Sequence, residues 1–151
     1  MLFAAALHVL SAVLWVGGMF FAYVCLRPSL AGILEPPQPA RLWRAVLGRF
    51  FRWVWLAIAL LVASGLFMAC SRYGAMTAWP LWLHLMFGLG VTMMMIFMHV
   101  YFAPFRRLGH ALDRGDPARA AASVAQIRRW VAVNLALGLT VVVIGAAGRY
   151  L

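Results

Sequence analysis

The chain has 151 residues, of which 66% are hydrophobic and only 11% charged, whereas soluble domains are roughly one-quarter charged. That composition excludes an ordinary soluble enzyme and marks a membrane protein. All 13 basic residues are arginine, opposed only by Glu35, Asp113 and Asp116 for a net charge of +10; because the arginines flank apolar stretches, they speak for membrane topology and against a nucleic-acid partner.

A helix needs roughly 20 apolar residues to cross a hydrocarbon core of about 30 Å. Residues 2–26, 50–70, 79–103 and 130–148 meet that requirement. The expected fold class is therefore all-α, a polytopic four-transmembrane-helix bundle, with residues 1–151 forming one domain. The first span opens with LHVLSAVLWVGG at residues 7–18; it has no positive n-region and its apolar run is too long for a signal sequence, so it is expected to stay in the mature protein. In the first connection, Pro36, Pro37 and Pro39 break the helix. Leu42, Val46, Leu47 and Phe50 then recur at helical spacing beside Arg41, Arg44 and Arg49, which predicts an interfacial helix leading into the second span. In the third connection, RGDP offers Asp116 as an N-cap and Pro117 as the first helical residue, so the fourth helix should begin well before the membrane.

Arginines orient the bundle. Connections one and three with their borders hold eleven of the thirteen, while connection two has only Arg72 and the C-terminus only Arg149. By the positive-inside rule those two connections are cytoplasmic and both termini periplasmic, in a bacterial inner membrane. Trp79 and Trp82 on the outer side, and Trp43, Trp53 and Trp130 on the inner, fit aromatic belts.

Imidazoles inside apolar spans need a reason. At about 1.5 Å per residue, His8 and His84 lie at similar depths, about 9 Å and 7 Å below the outer ends of their helices. Such a pair can approach a haem iron from opposite sides, and Ala12 and Gly88, one turn inward, would leave space beside a macrocycle. Hydrogen-bonded packing is the plain alternative for either histidine, and close helix packing is the alternative for Gly17, Gly18, Gly88 and Gly90. Trp15, on the stripe of His8, Ala12 and Met19, can stack on a porphyrin edge or simply pack. His99 lies about 22 Å further along the helix of His84 and faces within about 60° of it. His110 follows FRRLG in a connection and is expected to be solvated.

Thioether sulfur with imidazole suits Cu(I) instead. The run GVTMMMIFMHV is rich in methionine, but Met93, Met94 and Met95 are consecutive and point about 100° apart. At most Met95, Met98 and His99 converge, with Met19 or Cys25 of the first span. Cys25 and Cys70 lack the spacing of a zinc or thioredoxin-like site. There is no acidic residue within a span, no G-x-S-x-G and no HExxH, so any chemistry is expected to belong to a cofactor.

LHVLSAVLWVGGMFFAYVCLRPSL, followed by WLHLMFGLG and MHVYFAPFRRL, resembles the copper resistance protein D family of bacterial inner-membrane proteins. The pattern is also similar, more distantly, to HemJ-type protoporphyrinogen oxidases, which share an LH near the start of the first span and a WLH opening the third. That second resemblance implies haem b at His8 and His84, with His99 as an additional functional residue. HemJ-type sequences carry a lysine two residues after the WLH histidine, where this chain has Met86, which removes a cation suited to a porphyrin carboxylate.

The leading expectation is a b-type cytochrome acting as a haem-dependent oxidoreductase, exchanging electrons with a quinol, a porphyrin or an oxidant. Its haem would lie between His8 and His84, flanked by Trp15 and Gly88, with Arg72 and Arg149 on the correct side to hold propionates. His99 would bind a second metal or handle protons. The runner-up is copper transport along histidine and methionine sites, and a structural membrane subunit comes third. A small four-span bundle also suits a homodimer.

Overall fold

The computed structural model describes residues 1–30, 33, 35 and 38–148. Its elements are helical throughout: α1 (Leu2–Phe20), α2 (Arg27–Leu30), α3 (Gln38–Tyr73), α4 (Leu81–Phe102), α5 (Pro104–Asp113) and α6 (Pro117–Ala147), with no strand among the described residues. Four helical stretches are long and apolar enough to cross a membrane, 2–30, 38–73, 81–113 and 117–147. The fold is thus an all-α, polytopic bundle.

The first three spans differ in detail from their sequence forecasts. A wider π-helical segment, Phe21–Leu26, joins α1 to α2 and carries the first span beyond residue 26. The amphipathic stretch ahead of residue 50 is continuous with the second span, making α3 a single helix of 36 residues. Pro36 and Pro37 lie outside the described residues, while Pro39 sits in the first turn of α3, where a missing N–H breaks no helical bond. In the third span, Pro104 cannot donate to the preceding turn, so the chain breaks at Ala103 (φ −108°, ψ −85°) and resumes as α5.

The turn into α6 is as the sequence predicts, with an added stop. Gly115 adopts φ +65°, which a residue without Cβ does at little cost. Its N–H bonds to Leu112 O at 3.2 Å and that of Asp116 to Ala111 O at 2.9 Å, ending α5 as a Schellman motif. The Asp116 side chain then accepts from Arg119 N at 2.9 Å and caps α6, with Pro117 first in the helix.

In lipid, apolar surface alone does not bring helices together, so close van der Waals fit must. At Gly18 on α1, an added Cβ would run into the Phe50 ring of α3; at Gly138 on α6, it would meet Val16 at 2.9 Å and Met93 at 3.1 Å. Gly145 and Gly148 receive Met86 and Trp82 of α4 in the same way. The close-packing reading therefore holds for Gly18, whereas Gly17, Gly88 and Gly90 face open space.

Where α3 and α4 meet, aromatic rings join them. Phe97 lies 5.4 Å from Phe51, 5.2 Å from Trp55 and 6.1 Å from Trp15, all edge-on, and Phe51 reaches Phe105 of α5 at 4.9 Å. Such pairs contribute about 0.5–1.5 kcal/mol each beyond burial. The Arg44 guanidinium stacks 4.0 Å from the Phe105 ring centroid and covers Gly109, pinning α5 beneath the bundle. Gly138→Val should therefore cost about 1–3 kcal/mol by overpacking, and Gly17→Ala close to nothing; reversible unfolding in detergent micelles measures both.

Candidate functional site

His8 points into the bundle. It shares an azimuth, to within about 20°, with buried Trp15. Its ring lies against α3, where an added Cβ at Gly65 would approach His8 Cε1 to 3.0 Å. His8 Nδ1 is 3.0 Å from Ser64 Oγ, and the Ser64 hydroxyl donates its one proton to the Leu60 carbonyl. A hydroxyl whose proton is committed can only accept from the ring. With the Ser64 proton on Leu60, His8 donates from Nδ1 and keeps a lone pair at Nε2 with the orientation fixed from behind, as in histidines that bind metals.

His84 has the same tautomer for a different reason. Its Nδ1 faces the Pro80 carbonyl at 3.3 Å, and a carbonyl only accepts, so Nε2 again keeps its lone pair. Trp79 folds over it, with ring centroids 5.9 Å apart. The surroundings differ, however: His8 is half-buried and His84 is exposed.

The two rings do not face each other. Trp82, Met86 and Met93 are the α4 residues that meet glycines of α6 or lie beside them, and they stand about 160–180° around α4 from His84. Phe97, which meets Trp15 and Phe51, stands about 140° away. Depth was legible in the sequence but azimuth was not, because α4 is apolar on all sides. A haem clamped between His8 and His84 of one chain does not fit this arrangement. Trp15, expected as a porphyrin neighbour, is only 3% exposed and packs on Phe97. Arg72 lies 5.8 Å from the ring centroid of its neighbour Tyr73, and Arg149 lies outside the described residues.

What the fold does bring together is a stripe on α4. Met95 stands within about 20° of His84 and ~16 Å along the axis; Met98 follows at about 40° to the other side, and His99 lies about 22 Å from His84. Met95 is 62% exposed, Met98 40%, and both histidines are exposed. Gly88 lies between them with open space at its Cα. The His99 ring leans edge-on to Trp130 of α6 at 5.3 Å. Met93, by contrast, is buried and Met94 half-buried, so the methionine run is divided between core and exterior as its spacing implies. Met19 is buried in the core and Cys25 is exposed. No cluster of three or more histidine, cysteine or acidic side chains forms among the described residues.

Three residues that the sequence analysis did not single out matter here. Ser64 and Gly65 form the seat of His8, and only an adjacent pair of small residues in an apolar span signals them. Asn134 on α6 is 3% exposed, with its Oδ1 unpartnered beside Trp15, Met19 and Phe97.

With this geometry in hand, the family follows. The model of the family described as copper resistance protein D matches residues 44–147, more than half of the chain. The protein belongs to that family, as a four-span membrane member. The match takes in Ser64, His84, Met95, Met98 and His99, while His8 lies before it. No curated protein and no solved structure matches the chain.

The histidine assignments are checked by nitrogen NMR on protein labelled at imidazole. Wild-type His8 should show the Nδ1–H tautomer, and Ser64→Ala should abolish that preference while leaving His84 unchanged.

Proposed function

We propose that the protein carries Cu(I) along the exposed stripe of α4, from His84 through Met95 and Met98 to His99. The observation that carries this reading is the stripe itself: soft donors recur along the length of a membrane-crossing helix, His84, Met95 and Met98 exposed on the side turned away from the bundle and His99 at its edge beside Trp130. Imidazole nitrogen and thioether sulfur suit Cu(I), and the family description supports copper as the cargo. In this reading the histidine at each end takes the ion as it leaves or regains water, and the methionines serve the apolar interval between.

One helix offers too few donors to enclose an ion, and lipid supplies none. A second copy related by a two-fold axis along the membrane normal would set His84 opposite His84 and Met95 opposite Met95. The homodimer suggested by the small bundle thus acquires a purpose. The arginine distribution supports insertion in a bacterial inner membrane with both termini outside, so that His84 is on the periplasmic side.

The haem b reading differs in what it requires. Because His84 is turned outward, haem would have to take its ligands from separate chains, with a quinol or porphyrin as electron partner. The purified protein separates the two readings by absorbance. Copper transport requires no Soret band, together with copper uptake by proteoliposomes that falls at least about tenfold in His84→Ala and in Met95→Leu/Met98→Leu. A Soret band with sharp reduced α and β bands, lost with His84→Ala, would establish haem instead. For the dimer, Val91→Cys in a background lacking Cys25 and Cys70 should cross-link between copies; monomeric protein under oxidising conditions would contradict the enclosure.

A further inference from the structure

A cavity of about 460 Å³ opens at the arginine-rich end of the bundle, apart from the α4 stripe. It lies between the end of the first span and the opening turns of α3 and α6. Its volume falls within the roughly 300–1,000 Å³ typical of small-molecule sites. The deeper lining is apolar, with Ala22, Leu47 and Ile127 all buried, and Trp43 stands among the lining residues at the level of the interfacial aromatics.

The charged side chains among the described lining residues are both arginines. Arg27 and Arg128 both line the cavity, and the one ion pair among the described residues joins Arg119 to Asp116 instead. The Arg27 guanidinium lies 5.2 Å from the ring centroid of Tyr23, which also lines the cavity. Pro39 and Pro117, in the first turns of α3 and α6, also line it; the α6 N-terminus is already capped by Asp116, so the α3 N-terminus is the one that adds partial positive charge.

We infer that this cavity binds one anionic glycerophospholipid from the leaflet at the arginine-rich end, with its phosphate between Arg27 and Arg128 and its acyl chains over the apolar floor. A purely aqueous anion would need no such floor, and a zwitterionic lipid would bring its own cation to a mouth that already holds two. Basic pockets between membrane helices are suited to anionic headgroups on these grounds. The site is independent of the copper reading, because none of its lining residues belongs to the α4 stripe.

Native mass spectrometry of the purified full chain, titrated with phosphatidylglycerol or phosphatidylcholine, tests this. The wild type should retain one phosphatidylglycerol with a preference of about tenfold or more over phosphatidylcholine. Arg27→Gln/Arg128→Gln should abolish the preference, and Arg49→Gln/Arg106→Gln, with the same loss of charge away from the cavity, should keep it. Ala121→Trp fills the cavity at unchanged charge and should also expel the lipid, which covers the case in which the double arginine variant fails to fold. Equal binding of both lipids by the wild type, or preference retained when the cavity is filled, would overturn the inference. So would displacement of the bound lipid by millimolar inorganic phosphate, which would make the site one for a free anion.

Discussion

A polar side chain in a lipid-embedded helix must find a partner, because the hydrocarbon offers none. This constraint organises the molecule. His8 meets it through Ser64, whose hydroxyl is in turn satisfied by the Leu60 carbonyl, and the result is a ring locked against Gly65 at the join between α1 and α3. Thr92 and Thr140 meet it by donating to carbonyls one turn back, Gly88 O at 2.9 Å and Ala136 O at 3.0 Å. On α4 it is met only in part. His84 bonds to Pro80 through one nitrogen, while His84, Met95 and Met98 are all exposed.

Packing decides which side of α4 is left with that imbalance. Glycines on α6 let Trp82 and Met86 of α4 pack closely, and Gly138 does the same for Met93. α4 is thereby held by the side opposite His84, and the stripe is left outward. The aromatic contacts of Phe97 with Trp15, Phe51 and Trp55 fix the rotation of the helix from another direction. About half a turn of α4 would be needed to bury His84 and expose Met93, so the small residues of α6, which receive Trp82, Met86 and Met93, hold the stripe outward.

Much of the scaffold was legible in the sequence. Span positions followed from apolar length, and the α6 boundary followed from Asp116 and Pro117. The fate of the consecutive methionines followed from helical geometry. What was not legible depended on rotation and on small residues. Apolar side chains surround α4 on every side, so hydropathy carries no azimuth, and the expected pairing of His8 with His84 rested on depth alone. Ser64 and Gly65 became meaningful only once α1 lay against them. Continuity of α3 through the interfacial stretch was hidden because an amphipathic turn and an apolar span share the same helical period. Membership in the copper resistance protein D family agrees with the resemblance carried by the motifs around His84 and His99, and the likeness at His8 lies outside the matched region.

The account turns on whether soft donors of α4 hold the ion. X-ray absorption at the copper edge of Cu(I)-loaded protein in lipid nanodiscs measures this directly. A mixed shell of imidazole nitrogen and thioether sulfur, with the sulfur contribution removed by Met95→Leu/Met98→Leu, is the expected result. A shell of light atoms alone, or a sulfur signal indifferent to those two methionines, would contradict it.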